Sequence, residues 1–437
     1  MQNCQTLISA KYIISQDKDR KIIKNGSIAI NNGIITAIGD SENIKKNYIA
    51  SQNLEFNNGI VLPGLINAHT HVAMTFLRGF ADDLPLMQWL NTKIFPIEAK
   101  LTEKIVKIGS LLGFAEMLST GTTACNDMYI FEKSVLESAK QCGIRCMAGE
   151  VLFKFPSAKC KTYKDALAIT EELHEEYKNN DRLSIAVNPH SVYTTDEEII
   201  LSCRNLASKY NLPIHIHMSE TSEETKICLQ NFKKRPIHYC QDLGLFSLPC
   251  TMAHTIDLNK KDMESIKQYN LIPVHNPSSN MKLASGIAPI PEMLDMDIPV
   301  ALGTDGPASN NQLNMFIEMG RCALLHKVNT KDPTTLPNQK VLDMATINGS
   351  RAIHNNKIGS LEEGKIADII AVDLSAFNLQ PIYDPISALI YASSGHEVVM
   401  SMVEGEVLYL NGNFTHIDKE ALYKEVEDLK NFVLKSL

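Results

Sequence analysis

The chain has 437 residues, 44% of them hydrophobic, with 42 basic against 50 acidic side chains and a formal net charge of −8. That length exceeds one ordinary domain and suits a large α/β barrel carrying an accessory domain. The acidic balance repels phosphate backbones, so neither nucleic acid nor a membrane is expected as a partner, and no stretch approaches the roughly 20 apolar residues of a membrane span.

Residues 6–14 and 27–30 read as short strands, Asn31-Asn32-Gly33 as a turn, and 34–38 as the next strand; little helical periodicity precedes residue 60. From there to about residue 350, short apolar runs alternate with longer segments. Strands are expected at 60–67, 122–128, 145–153, 183–188, 213–217, 251–254, 271–275 and 299–303. Between them, 103–118, 163–177 and 197–209 carry the period of amphipathic helices. Near-continuous apolar strands are the mark of a sheet covered on both faces, and eight β-then-α units predict a closed (β/α)8 TIM barrel over residues 59–357. Beyond it, strands return at 367–372, 398–404 and 407–410, before a closing helix at 419–434. Two β-rich ends around one barrel predict a small β-sandwich domain assembled from residues 1–58 and 358–437.

Residues 1–23 lack the basic, apolar and small-residue pattern of a secretory leader, and ten cysteines are scattered without a C-x-x-C pair. Reduced, mostly buried thiols and a cytoplasmic setting are therefore expected.

Polar groups gather where the barrel strands end, the rim from which such a barrel presents its chemistry. The first strand runs into His69-Thr70-His71, whose alternation places both imidazoles on one side. The fifth ends in His217 with Glu220 three residues on, the sixth in His254, and the eighth leads to Asp305. Singly, each has a plain structural reading: an H-x-H pair is more often packing than ligation, and an aspartate between glycines is often a turn. Jointly, three imidazoles and a carboxylate suit a borderline divalent ion that keeps a position open for water.

Pro63-Gly64-Leu65-Ile66-Asn67-Ala68-His69-Thr70-His71 resembles the opening signature of the amidohydrolase superfamily. Within it the chain is similar, over essentially its whole length, to the 5-methylthioadenosine/S-adenosylhomocysteine deaminases, neighbours of the chlorohydrolases. The supporting motifs are Leu77-Arg78-Gly79 with Asp82-Asp83-Leu84 and Trp89-Leu90; Asn188-Pro189-His190-Ser191; His217-Met218-Ser219-Glu220-Thr221; His275-Asn276-Pro277 with Ser279-Asn280 and Lys282-Leu283; and Gly303-Thr304-Asp305-Gly306 with Ser309-Asn310-Asn311.

That resemblance implies that His69, His71, His217 and Asp305 hold one divalent metal per subunit, zinc first, with iron or manganese as alternatives. The superfamily's two-metal branches use a lysine on strand four; 183–190 contains none, so a single ion is expected. The implied reaction is hydrolytic deamination of an adenosine-type nucleoside, releasing the inosine analogue and ammonia. In it His254 orients water and takes its proton, Asp305 passes a proton towards the leaving amine, and Glu220 protonates ring N1. Glu98 and His190 are expected on the ribose, Trp89 beside the 5′ substituent and Ser309 near the ligand. Their alternatives are an exposed helix-start acid, a structural imidazole, a packing ring and a helix cap. The family's S-adenosylhomocysteine users carry arginines after strand three. Here Glu150 takes that place and 151–167 has no arginine, favouring a neutral 5′ group as in methylthioadenosine, 5′-deoxyadenosine or adenosine. Alternatives are hydrolysis of a triazine or another heterocycle, deamination of a futalosine-type nucleoside, or a barrel scaffold without catalysis. A small-molecule nucleoside and further copies of the chain are the expected partners.

Overall fold

The computed structural model describes residues 1–436. Eight parallel strands follow one another around a barrel: Leu65–Thr70, Thr122–Asp127, Arg145–Ala148, Leu183–Ile185, Ile214–Met218, Cys250–His254, Ile272–His275 and Ala301–Leu302. Their ladders form two runs of four. One gap is bridged by parallel pairing of Val187 with Ile214. Across the other, the Asp305 N–H donates to the His69 carbonyl at 3.0 Å, and Asn67 binds both the Thr304 N–H at 3.0 Å and its hydroxyl at 2.7 Å. Every residue of the first three strands is buried, polar side chains such as Asn67, His69 and Asp127 included.

Helix starts are fixed by their caps. Thr102 accepts from the Ile105 N–H ahead of Glu103–Ser119, Thr162 and Asp165 form a reciprocal capping box ahead of Tyr163–Tyr177, and Asp196 caps Glu197–Tyr210. All three fall where the periodicity placed them.

The strand expected at 60–67 is two elements. Tyr48–Pro63 belongs to the small sheet and Leu65–Thr70 to the barrel, with the chain changing sheets at Gly64. A Cβ on Gly64 would lie 2.0 Å from the Thr123 hydroxyl, so only glycine lets the barrel's second strand come this close. The barrel strands are also shorter than expected at several ends, the eighth spanning only Ala301–Leu302.

Both chain ends build one eight-stranded sheet, in the order Asn413–Phe414, Glu406–Leu410, Val398–Val403, Ile369–Asp373, Tyr48–Pro63, Gln2–Ile14, Ile22–Asn31, Ile34–Asp40. The two halves of the expected sandwich are thus one continuous sheet. It curls until the turn at Gly33 meets Glu404 and Gly405, and Ile8, Ile28, Ile30, Val61, Ile369 and Met402 share its core. A short helix, Ser41–Asn47, was not expected from periodicity; the Asp40 side chain starts it by accepting from the N–H groups of Glu42 and Asn43. The closing helix, Lys419–Ser436, lies against the barrel helix Glu103–Ser119, with Lys104 on Asp428 at 2.7 Å and Phe432 edge-on to Phe76. Among the described residues, no helix is long and apolar enough to cross a membrane.

Candidate active site

The strand ends bring four histidines and an aspartate to the barrel mouth. His69 Nε2 lies 3.4 Å from Asp305 Oδ1, and His71 Nε2 lies 3.2 Å from both Asp305 Oδ1 and His217 Nε2. Bonds of about 2.0 Å to a tetrahedral ion put neighbouring donor atoms roughly 3.3 Å apart, and these separations match that spacing. His69, His217, His254 and Asp305 likewise offer donor atoms within 4.8 Å of one another. His69 Nε2 is buried and has no hydrogen-bond partner, as a nitrogen kept for a cation requires.

Outer contacts set the tautomers. The His217 Nδ1–H donates to the His190 carbonyl at 2.8 Å, and His71 Nδ1–H donates to the Met128 carbonyl. His254 Nδ1 meets Asn280 Oδ1 at 2.9 Å, and His69 Nδ1 meets His215 Nε2 at 2.9 Å. In each case the outer nitrogen is engaged, leaving Nε2 facing inward. Asp305 Oδ2 accepts from the hydroxyls of Ser279 at 2.6 Å and Ser309 at 2.9 Å, while its Oδ1 accepts the Gly306 N–H. The backbones of His254 (φ 74°) and Asp305 (φ 60°) sit in the left-handed region. A second buried group, His275, Cys322 and His326, lacks this support: both its Nδ1 atoms are without partners.

Burial and charge tune the cluster. Burial holds His69 down to about 3 and His217 well below the usual imidazole range. His71 is raised to about 9: burial opposes its charge, but the Asp305 carboxylate and the Met128 carbonyl outweigh burial. Asp305 is held well below the carboxylate range, with burial overcome by His69 and His71. An ionised carboxylate among mostly neutral imidazoles is the donor set a divalent cation takes. Glu220, 5% exposed, lies 3.9 Å from His254 Nε2; burial raises its pKa, with His254 opposing.

These groups close one end of a cavity of about 630 Å³ whose other walls are mostly apolar. Trp89, Glu98, His190 and Ser309 all line it. The Trp89 indole N–H donates to the Ala81 carbonyl at 3.0 Å, which fixes the ring as a wall. Glu98 is 7% exposed, and burial raises its pKa against the lowering effect of Tyr129 beside it, so the exposed-acid alternative fails. His190 is held down to about 3 by burial. Ser309 spends its hydroxyl on Asp305.

Glu150 does not belong to the cavity. Its carboxylate accepts the N–H groups of Phe131 at 3.0 Å and Glu132 at 2.9 Å, satisfying the start of the helix Glu132–Cys142, and it does not line the pocket. The expectation that it faces the substrate is corrected on that ground. Sequence reading also missed His215, Asn280 and Ser279 as supports of the ligand groups. His215 stands two residues before His217 on one strand, the same alternation that drew attention to His69 and His71, and Ser279-Asn280 lay within a noted motif without a role.

Comparison with known proteins fits this geometry. The amidohydrolase family model matches residues 60–408. The chain is 53% identical over 433 residues to a 5-methylthioadenosine/S-adenosylhomocysteine deaminase of Desulfovibrio desulfuricans, covering 99% of this chain and 98% of that one. A protein of the same name from Lawsonia intracellularis is 53% identical over 436 residues, covering 100% and 99%. Among solved structures, an adenosine deaminase from Xanthomonas campestris with bound zinc superposes with a TM-score of 0.97 at 33% identity, covering 99% of each chain. A zinc-complexed atrazine chlorohydrolase from Arthrobacter aurescens shares the fold at 21% identity and a TM-score of 0.91, covering 98% of this chain and 100% of that one.

Proposed function

The chain belongs to the amidohydrolase family, and from that premise we propose that it deaminates an adenosine-type nucleoside, turning the adenine into hypoxanthine and releasing ammonia. The observation that carries the reading is the packing of His69, His71, His217 and Asp305 edge to edge beside the Glu220–His254 pair, in a cavity walled by Trp89 and Glu98. The relatives' names supply the substrate class: adenosine analogues modified at the 5′ position.

His69, His71, His217 and Asp305 hold one divalent ion, zinc by its chemistry with nitrogen donors and by its presence in the adenosine deaminase neighbour. When bound, such an ion supplies Lewis acidity that makes a water nucleophilic near neutral pH. His254 is assigned to proton transfer and not to ligation, because its Nε2 faces Glu220 while Asn280 fixes the ring from behind. It orients the attacking water and accepts its proton. Glu220, whose protonated form burial favours, donates to ring N1 and makes the adjoining amino-bearing carbon electrophilic. The Asp305 carboxylate, aimed by Ser279 and Ser309, takes the remaining hydroxyl proton from the tetrahedral carbon and passes it to the amine, which leaves as ammonia. Glu98 accepts from ribose hydroxyls and His190 lies beside the sugar; their burial lets the cavity strip water from the ligand.

Triazine hydrolysis would use the same first groups but gives no work to the buried acid at Glu98. The ten cysteines are all unpaired and buried, which fits a reducing, cytoplasmic setting. Exposed Leu324, Val328 and Tyr391 offer apolar surface for self-association, and light scattering after gel filtration tests for it. The deaminase reading is tested with metal-replete enzyme and a panel of adenine nucleosides, following ammonia and the shift from adenine to hypoxanthine absorbance. Deamination of adenosine or a 5′-modified analogue is the expected result; inertness towards all of them overturns the reading.

A further inference from the structure

Residues 79–98 supply one wall of the cavity: Leu86, Trp89, Leu90, Ile94, Phe95 and Glu98 all line it. A single layer of chain separates the cavity from solvent here, since Met87, Gln88, Asn91 and Thr92 in the same stretch are exposed. Among the described residues, this stretch makes one ion pair with the rest of the chain, Asp82 Oδ1 with Lys282 Nζ at 2.5 Å. The backbone bends through left-handed residues on either side of Asp82, at Gly79 (φ 66°) and Asp83 (φ 61°).

Lys282 ends the short helix Pro277–Lys282, and that helix already serves the chemistry. Its Ser279 donates to Asp305 at 2.6 Å and its Asn280 meets His254 at 2.9 Å, while the next residue, Leu283, lines the cavity. The Lys282 ammonium has three N–H donors and finds three acceptors: Asp82, Asn311 Oδ1 at 2.5 Å and the Ala308 carbonyl at 3.2 Å. The last two belong to the loop that follows Asp305. On the far side of the pair, the carbonyl of Ala81, adjoining Asp82, accepts the Trp89 indole N–H at 3.0 Å. A continuous path therefore runs from the supports of Asp305 through Lys282, Asp82 and Ala81 to Trp89.

We infer that Lys282 is a positioning residue: through Asp82 it sets where the 79–98 wall, and Trp89 above all, stands relative to the reacting groups. An ion pair whose side chains are 23% and 43% exposed adds little to overall stability, so its effect is local. Without it the inner residues of the wall still favour burial, but the wall's distance from Asp305 is no longer fixed, and a ligand must order it on binding. The loss falls on binding and spares proton transfer at Glu220 and His254. The kinetic side of the inference rests on the nucleoside-deaminase reading above; the placement of Trp89 does not.

Trp89 is the only tryptophan in the sequence, so its fluorescence reports the wall directly. The test compares the parent, Lys282→Met, Asp82→Asn and the double variant, each metal-replete, by tryptophan emission, acrylamide quenching and deamination kinetics. In both single variants the emission should move to longer wavelength and the quenching strengthen, with KM up about fivefold and kcat within about twofold of the parent. The double variant should be no worse than Lys282→Met, because both changes break one contact. Emission and quenching unchanged in either single variant, effects of the two changes that add, or a fall in kcat at constant KM overturns the inference. Should no nucleoside be deaminated, the functional reading falls, and the fluorescence outcomes alone decide the placement of Trp89.

Discussion

Replacing Glu220 by glutamine isolates one proton. The side chain is 5% exposed, and the Glu220 backbone N–H is held by Glu224 Oε2 at 2.7 Å, so an isosteric amide occupies the same place. Burial already disfavours the charged carboxylate, so the neutral amide adds no desolvation cost, and thermal stability and metal content should match the parent. The amide cannot give a proton to ring N1. Loss of a positioned general acid lowers kcat by about 10²–10⁴-fold, or about 3–5 kcal/mol of barrier. The assay is kcat and KM by absorbance on protein of matched metal content, across a range of pH. With the raised pKa, the active acid form prevails below that pKa, and parental kcat falls as pH rises through it. The glutamine variant should lack that limb. Turnover within about threefold of the parent, or an unchanged alkaline limb, refutes the role of Glu220.

Asn280→Ala frees His254 Nδ1 from its 2.9 Å contact, and kcat should fall about 10–100-fold with KM little changed; a matching rise in KM alone would count against the positioning role. His215→Ala removes the outer partner of His69, so chelator competition should show metal affinity reduced about 10–100-fold, and equal retention of metal would reject the argument. Glu318 is buried beneath Ser278 and Asn310 and raised to about 7, mainly by burial. Its share of stability is fully present below the unfolded-state value and is lost as pH rises through 7, about 3 kcal/mol in all. Urea denaturation at pH 5 and pH 8 should show that loss in the parent and not in Glu318→Gln; parallel pH dependence in both sinks the assignment.

The barrel was readable because its strands are buried on both faces, and the ligand groups because strand ends share one rim. Position in the sequence therefore stood in for position in space. Contacts that depend on direction were not readable. Glu150 sits where a substrate contact was expected, yet two backbone N–H groups turn its carboxylate inward, and nothing in its neighbours' identities announces that. The break at Gly64 was hidden because the apolar run continues through it while the chain passes from one sheet to another. Ser41–Asn47 is too short and too polar to show periodicity, and only Asp40 marks its start.

The interleaving of the chain ends also sets a schedule for folding. Tyr48–Pro63 pairs on one side with Gln2–Ile14, but its other neighbour, Ile369–Asp373, lies roughly 300 residues downstream. On the ribosome that edge stays unpaired for on the order of tens of seconds, while the intervening barrel is made. Truncated or stalled chains therefore present an open β edge rich in aggregation risk, and the last third of the gene protects the first.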